Sequence, residues 1–250
     1  MFDIRTTAKT IAAWPGIVGI DAIPTALRES VELFDSAAYV EGPYVTVKPD
    51  TITAQNVEAV MGGLADELAR EAHFTEARKR VVEALGQHLL QIAGESVEAI
   101  LEKLRPGFEQ AVENFTIAVS ELGECTPTAL VRSGPVALQR YQDALASQDV
   151  MLKADQFLST LRHLPIYGVV SHEPCLRLTS PSNRDELKLL LNYQGKRSEA
   201  WGDLLPLLVH AVKGNIRFSL NDPATAKAIQ NEINSSEFVA KKPRFMSVNR

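Results

Sequence analysis

VVEALGQHLLQIAGESVEAILEKL, residues 81–104, decides the fold class. Val81, Leu85, Leu89, Ile92, Val97, Ile100 and Leu104 return every three to five residues. That spacing lays them along one side of an α-helix. Upstream, Val57, Val60, Leu64 and Leu68 form an earlier stripe, continued by Phe74 and Ala77. An unbroken helix from Thr53 to Leu104 would extend about 75–80 Å at 1.5 Å per residue. Gly62-Gly63 and Gly94 each cost about 1 kcal/mol relative to alanine, and His73–Thr75 is a poor helical stretch. Two or three pieces are therefore expected, with a kink or hairpin near Gly62 or Gly94. Pro106-Gly107 reads as the clearest break, because proline disfavours helix at the residue before it.

Beyond that break, Phe108, Val112, Phe115, Val119 and Leu122 alternate four and three, which is heptad spacing. The pattern lasts two heptads and falls short of a sustained coiled coil. Thr126-Pro127 and Gly134-Pro135 read as helix starts. The second helix runs to Leu164, with a broad stripe of Leu138, Tyr141, Leu145, Leu152, Phe157, Leu158 and Leu161.

The flanks are mixed. Thr6–Trp14 reads as a short helix stopped by Pro15-Gly16. Thr25–Tyr39 is a better helix, capped by Thr25 and striped by Leu27, Val31, Phe34 and Ala38. Tyr44–Lys48 alternates between Gly42-Pro43 and Pro49 as a short strand or arm. After Pro165, Ile166–Val170 and Leu176–Thr179 read as extended. Ser182 or Asn183 caps a helix to Tyr193, and Glu199–Lys213 is a helix interrupted or bent at Pro206. Ile216–Leu220 is strand-like, and Asp222-Pro223 starts a helix to about Ile233. The fold expected is mainly α: a mixed segment over 1–52, a bundle of long amphipathic helices over 53–164, a smaller α+β portion over 165–239 and a basic tail over 240–250.

Composition bounds the function. Apolar residues at 45% and charged residues at 23% are ordinary globular values, and the net charge is −5. A nucleic-acid binder usually carries a basic face to neutralise phosphates, so nucleic acid is not the expected partner. No apolar run approaches the roughly 18–20 residues of a membrane span. The start of the chain lacks a signal peptide's apolar core, so a cytoplasmic or virion location is expected. Cys125 and Cys175 form no C-x-x-C and read as free thiols.

The five histidines form no H-x-x-x-H or H-E-x-x-H, and Glu95, Glu98 and Glu102 lack the histidine partners of a helical carboxylate metal site. No metal or cofactor is expected. Glycine-rich phosphate loops and G-x-S-x-G are missing. Ser171-His172-Glu173-Pro174-Cys175 groups a hydroxyl, an imidazole, a carboxylate and a thiol. His172, Glu173 and Cys175 are therefore the candidate catalytic residues, with His163 nearby. Adjacent residues on an extended chain point to opposite sides, which favours a plain turn there. Arg78-Lys79-Arg80 is the only internal basic triplet, and Glu76 can pair with Arg80 one turn away. The tail, with Lys241, Lys242, Arg244 and Phe245, carries four bases and no acid. It is the candidate partner-binding segment, with an aromatic anchor among its charges.

The expectation is a non-enzymatic structural, assembly or adaptor protein that works through protein–protein contacts and self-association. A bacteriophage virion or head-assembly component is one instance of that class. The alternatives are a helical enzyme with a scattered site around 163–175, and a helical regulatory protein.

Overall fold

The computed structural model describes residues 4–42, 55–168 and 173–240, with side chains as far as 235. Its described helices are α1 (Ile4–Ala12), α2 (Trp14–Val18), α3 (Thr25–Tyr39), α4 (Val57–Glu121), α5 (Pro127–Ser133), α6 (Pro135–Leu161), α7 (Arg184–Tyr193), α8 (Pro206–Lys213) and α9 (Pro223–Ala240). Two short strands, β1 (Thr179–Ser180) and β2 (Arg217–Phe218), pair antiparallel with Thr179 opposite Phe218. The protein is mainly α, with a bundle of long helices and a small sheet near its C-terminal end. The expected strand at Tyr44–Lys48 lies outside the described residues.

The expected breaks in the long helical stretch do not occur. α4 is one helix of 65 residues that passes through Gly62-Gly63, Gly94 and Pro106. The reason lies in its buried face. Leu89, Ile100 and Ala111 are buried at 11-residue intervals, as are Val97, Phe108 and Val119, and Leu122 just past the helix end continues the first series. Eleven residues in three turns is 3.67 per turn, close to the natural helical period, so the face barely drifts. It continues in register across Pro106, from Ile100 through half-buried Leu104 to Phe108. One interior proline costs about 3 kcal/mol. Burying each of Ile100, Phe108 and Phe115 returns about 1.5–3 kcal/mol, and the helix is kept.

The chain forms two compact units. Residues 1–12 and 24–96 make the first, in which α1 packs against α3. Leu27 and Phe34 of α3 are buried in it, together with Val82, Leu89, Leu90 and Ala93 of α4. Gly86 lies here too, and a β-carbon on it would overlap Ile4 Cγ2. α3 spans the residues expected from its stripe. Thr25 is its first helical residue rather than its cap, and accepts a bond from Arg28 Nη2 at 3.1 Å.

Residues 13–23 and 97–250 make the second unit. The short helix expected to stop at Pro15-Gly16 ends earlier, at Ala12. Pro15 instead sits in the first turn of α2, where its missing N–H costs nothing. Trp14 is fully buried against Phe157 of α6, edge to face, with ring centroids 5.1 Å apart. Its Nε1 donates to Thr160 Oγ1 at 2.9 Å.

Helix starts in this unit follow the sequence closely. Thr126 accepts from the Ala129 amide at 3.2 Å, and Gly134, at φ 84°, turns the chain into α6. Asn183 Oδ1 accepts from the Glu186 amide at 3.0 Å. Asp222 Oδ1 accepts from the Thr225 amide at 2.7 Å and starts a helix that outruns Ile233 to Ala240.

Of the expected extended segments Ile166–Val170 and Leu176–Thr179, Thr179 enters β1, Val169-Val170 lie outside the described residues, and the rest is corrected. Pro165–Tyr167 and Pro174–Arg177 are 3-10 turns, each begun by a proline whose fixed φ suits a helical start. The helix expected over Glu199–Lys213 is a 3-10 turn at Glu199–Trp201, a stop at Gly202 (φ 57°), and then α8.

Candidate functional site

The segment that the sequence singles out for chemistry leads into the turn Pro174–Arg177. His172 lies outside the described residues, as do Lys241, Lys242, Arg244 and Phe245 of the tail. Glu173 is half-buried, and Cys175 is buried.

Cys175 belongs to the apolar cluster of Leu176, Leu187, Leu190, Ala211, Ile216, Ala226 and Ile233. Burial, reinforced by the Glu173 charge, pushes its thiol up to about 12. A thiol held so high carries almost no thiolate at neutral pH, and the thiolate is the nucleophile. Its amide donates to Gln194 Oε1 at 3.2 Å, and its carbonyl accepts from Thr179 Oγ1 at 2.7 Å. Both contacts fix the turn. Cys125 is also a buried free thiol, raised by burial.

A cavity of about 200 Å³ opens beside this turn, lined by Leu152, Asp155, Cys175, Arg177, Gln194 and Leu208 among others. Its polar features are internally matched, Lys196 Nζ donating to Asn192 Oδ1 at 2.9 Å. Arg177 Nε and Nη2 donate to the two oxygens of Asp155 at 2.7 and 2.8 Å. Such a bidentate fork uses the guanidinium's recognition geometry on the protein's own carboxylate. The pair ties the turn to α6, and the remaining wall is mostly apolar.

On the next elements, His210 of α8 stacks on Tyr193, with centroids 3.6 Å apart and planes 8° from parallel. Trp201 meets His210 edge-on, and Lys213 Nζ sits 4.1 Å over the Trp201 ring. Burial first, and then the Lys213 charge, lower the pKa of His210 from its ordinary 6.5. The folded state therefore binds this proton less readily than the unfolded chain does. The sign follows: the contribution to stability is complete above 6.5 and is lost as pH falls below it. His163, lowered by burial and by Arg162, adds in the same direction. We expect the urea midpoint to fall between about pH 7.5 and about pH 5.5. The drop should be smaller in His210→Phe, which keeps the stack and removes the charge. An equal drop in both proteins would remove His210 from the account.

Sequence spacing did not reveal this cluster, nor the Arg177–Asp155 pair. Tyr193, Trp201 and His210 come from three separate elements, and Arg177 and Asp155 are 22 residues apart. Among the described residues, no group of three His, Cys, Asp or Glu is placed to hold a metal ion. No described helix is long and apolar enough to cross a membrane.

One surface stands apart from these matched groups. In the first unit, the N-terminal turns of α4 leave Val57, Met61 and Leu68 exposed at 42, 66 and 50%. Leu64 is half-buried between them. The four repeat at intervals of four, three and four, on one side of the helix. No protein-family model, curated protein or solved structure matches the chain.

Proposed function

We propose that this is a structural or assembly protein that self-associates through the N-terminal turns of α4. The observation that carries the reading is the exposed stripe of Val57, Met61, Leu64 and Leu68. Contiguous apolar side chains at helical spacing mark an interaction surface, whereas single exposed apolar residues do not. The occupant proposed is a second copy of the chain. An apolar seam at intervals of four and three is what two like helices share when they pack. The tail supports the same reading. It places four bases and no acid on a chain of net charge −5, so a neighbouring copy offers it opposite charge. Virion and bacteriophage head-assembly components are one instance of this class. Electron microscopy of the associated species would separate a ring or shell from a simple dimer.

The test is size-exclusion chromatography with light scattering on the full chain. Multiples of 27.4 kDa are expected at micromolar concentration. Each side chain buried in an interface contributes about 1.5–3 kcal/mol. The double variant Met61→Glu/Leu68→Glu should therefore raise Kd by about a thousandfold and return the mass to one chain. Its helical circular dichroism should be unchanged, since both residues are exposed. A wild-type monomer, or a variant that associates as before, would sink the proposal.

A further inference from the structure

The first unit holds a second feature that the assembly reading does not use. A cavity of about 450 Å³ lies between α1, α3 and α4, lined by Arg5, Lys9, Tyr39, Thr75, Arg78 and Lys79, with Phe34 in its wall. Four cations line it, and among the described residues that line it there is no carboxylate. That is unusual in a chain whose acids outnumber its bases by 31 to 26.

The convergence has a structural cause. Arg5 and Lys9 are four residues apart, so α1 presents both on one side. Arg78 and Lys79 come from the middle of α4. Arg78 Nη2 donates to the Ala38 carbonyl near the end of α3, which holds its guanidinium at the rim. The nearest sequence acid, Glu76, is engaged by Arg80 at 2.8 Å. The basic triplet is thereby split: Arg80 is paired, while Arg78 and Lys79 face the cavity. Among the described residues, neither Lys9 nor Lys79 makes an ion pair. Tyr39 stands at the same rim with 78% of its surface exposed. It offers a planar face to a ring, and its neighbours offer charge to phosphates.

We propose that this cavity binds a small phosphorylated molecule with two or more phosphates and a planar ring, of the nucleoside di- or triphosphate class. Lysine and arginine side chains recognise phosphate oxygens by charge-assisted hydrogen bonds. Lys9 lies on α1 and Lys79 on α4, so a single phosphate suits one of them, whereas a diphosphate or triphosphate engages both. The volume is in the range of small-molecule sites, about 300–1,000 Å³. A half-open cleft of that size suits a compact ligand better than a duplex backbone, which needs a long basic track.

Calorimetric titration of the full chain at low salt tests this with inorganic pyrophosphate, ADP and sulfate as probes. Saturable binding of pyrophosphate and ADP is expected, with sulfate much weaker. Lys9→Gln and Lys79→Gln should each weaken both phosphorylated probes by about tenfold. Both lysines are exposed, so the melting temperature should not change. Tyr39→Ala should weaken ADP while leaving pyrophosphate nearly unaffected. Equal loss of both probes would overturn the ring-stacking part, and absence of saturable binding would overturn the whole. A twenty-base-pair duplex that competes at far lower concentration than ADP would replace the proposal with nucleic-acid binding. None of these outcomes depends on the oligomeric state, which is read separately.

Discussion

Asn221→Ala is expected to destabilise the second unit by about 2–4 kcal/mol, among the larger effects available from one side chain. Asn221 is 3% exposed and lies in the loop between β2 and α9. Its Nδ2 donates to the Leu176 carbonyl at 2.8 Å and the Thr179 carbonyl at 3.1 Å, with Ser180 Oγ at 3.3 Å. Its own amide donates to the Arg177 carbonyl at 2.9 Å. One residue thus ties the turn Pro174–Arg177 and strand β1 to the start of α9. Alanine keeps the backbone bond and removes the side-chain donor. Two carbonyls are then left in a dry setting where water cannot replace it. Each such orphaned acceptor costs about 1–3 kcal/mol.

Asn183→Ala makes the comparison. It removes an exposed cap on α7 and should cost about 1 kcal/mol. Both tryptophans, Trp14 and Trp201, belong to the second unit. Intrinsic fluorescence during urea unfolding therefore reports this unit alone. Equal midpoints for the two variants would show that Asn221 does not hold the segment together.

Pro106→Ala is expected to have a large effect of the opposite sign. Pro106 lies inside α4, is exposed, and withholds the amide that would bond to the Glu102 carbonyl one turn earlier. Alanine restores that bond and removes the ring's clash with the preceding turn, a difference of about 3 kcal/mol in a helix interior. The unfolded chain gains freedom in return, which offsets about 0.4–1 kcal/mol. A net gain of about 2 kcal/mol follows, or about 4–8 °C in Tm for a unit of this size. The same tryptophan signal reads it. An unchanged or lower Tm would mean that the proline's distortion helps to seat Phe108 and its neighbours. The gain would then be spent on repacking them.

These two residues also mark where sequence reading succeeds and where it stops. Pro106 was visible as a helix breaker, and the local rule was sound. The rule failed because a single lost bond competes with a buried face that runs in register from Leu89 to Val119. That face is distributed over thirty residues, and its total outweighs the local penalty. Asn221 gave no signal at all. It sits beside the recognised helix start at Asp222-Pro223, and its partners are more than forty residues away in the chain. Cys175 shows the converse. Its neighbours made it a chemical candidate, and burial in a leucine cluster left it a protonated core residue.

The sequence by itself determined that the protein is mainly helical, where most helices begin, and that a little strand lies near the C-terminal end. Those features follow from periodicity and capping, which act over a few residues; the pairing of β1 with β2 came from the structure. Only the tertiary structure decided that α4 continues through its glycines and proline, because that outcome is set by burial summed along the helix. The tertiary structure alone also paired Arg177 with Asp155, stacked His210 on Tyr193, and brought Arg5 and Lys9 to Arg78 and Lys79. Each of these depends on how separate helices are placed against one another, and spacing along the chain does not encode that.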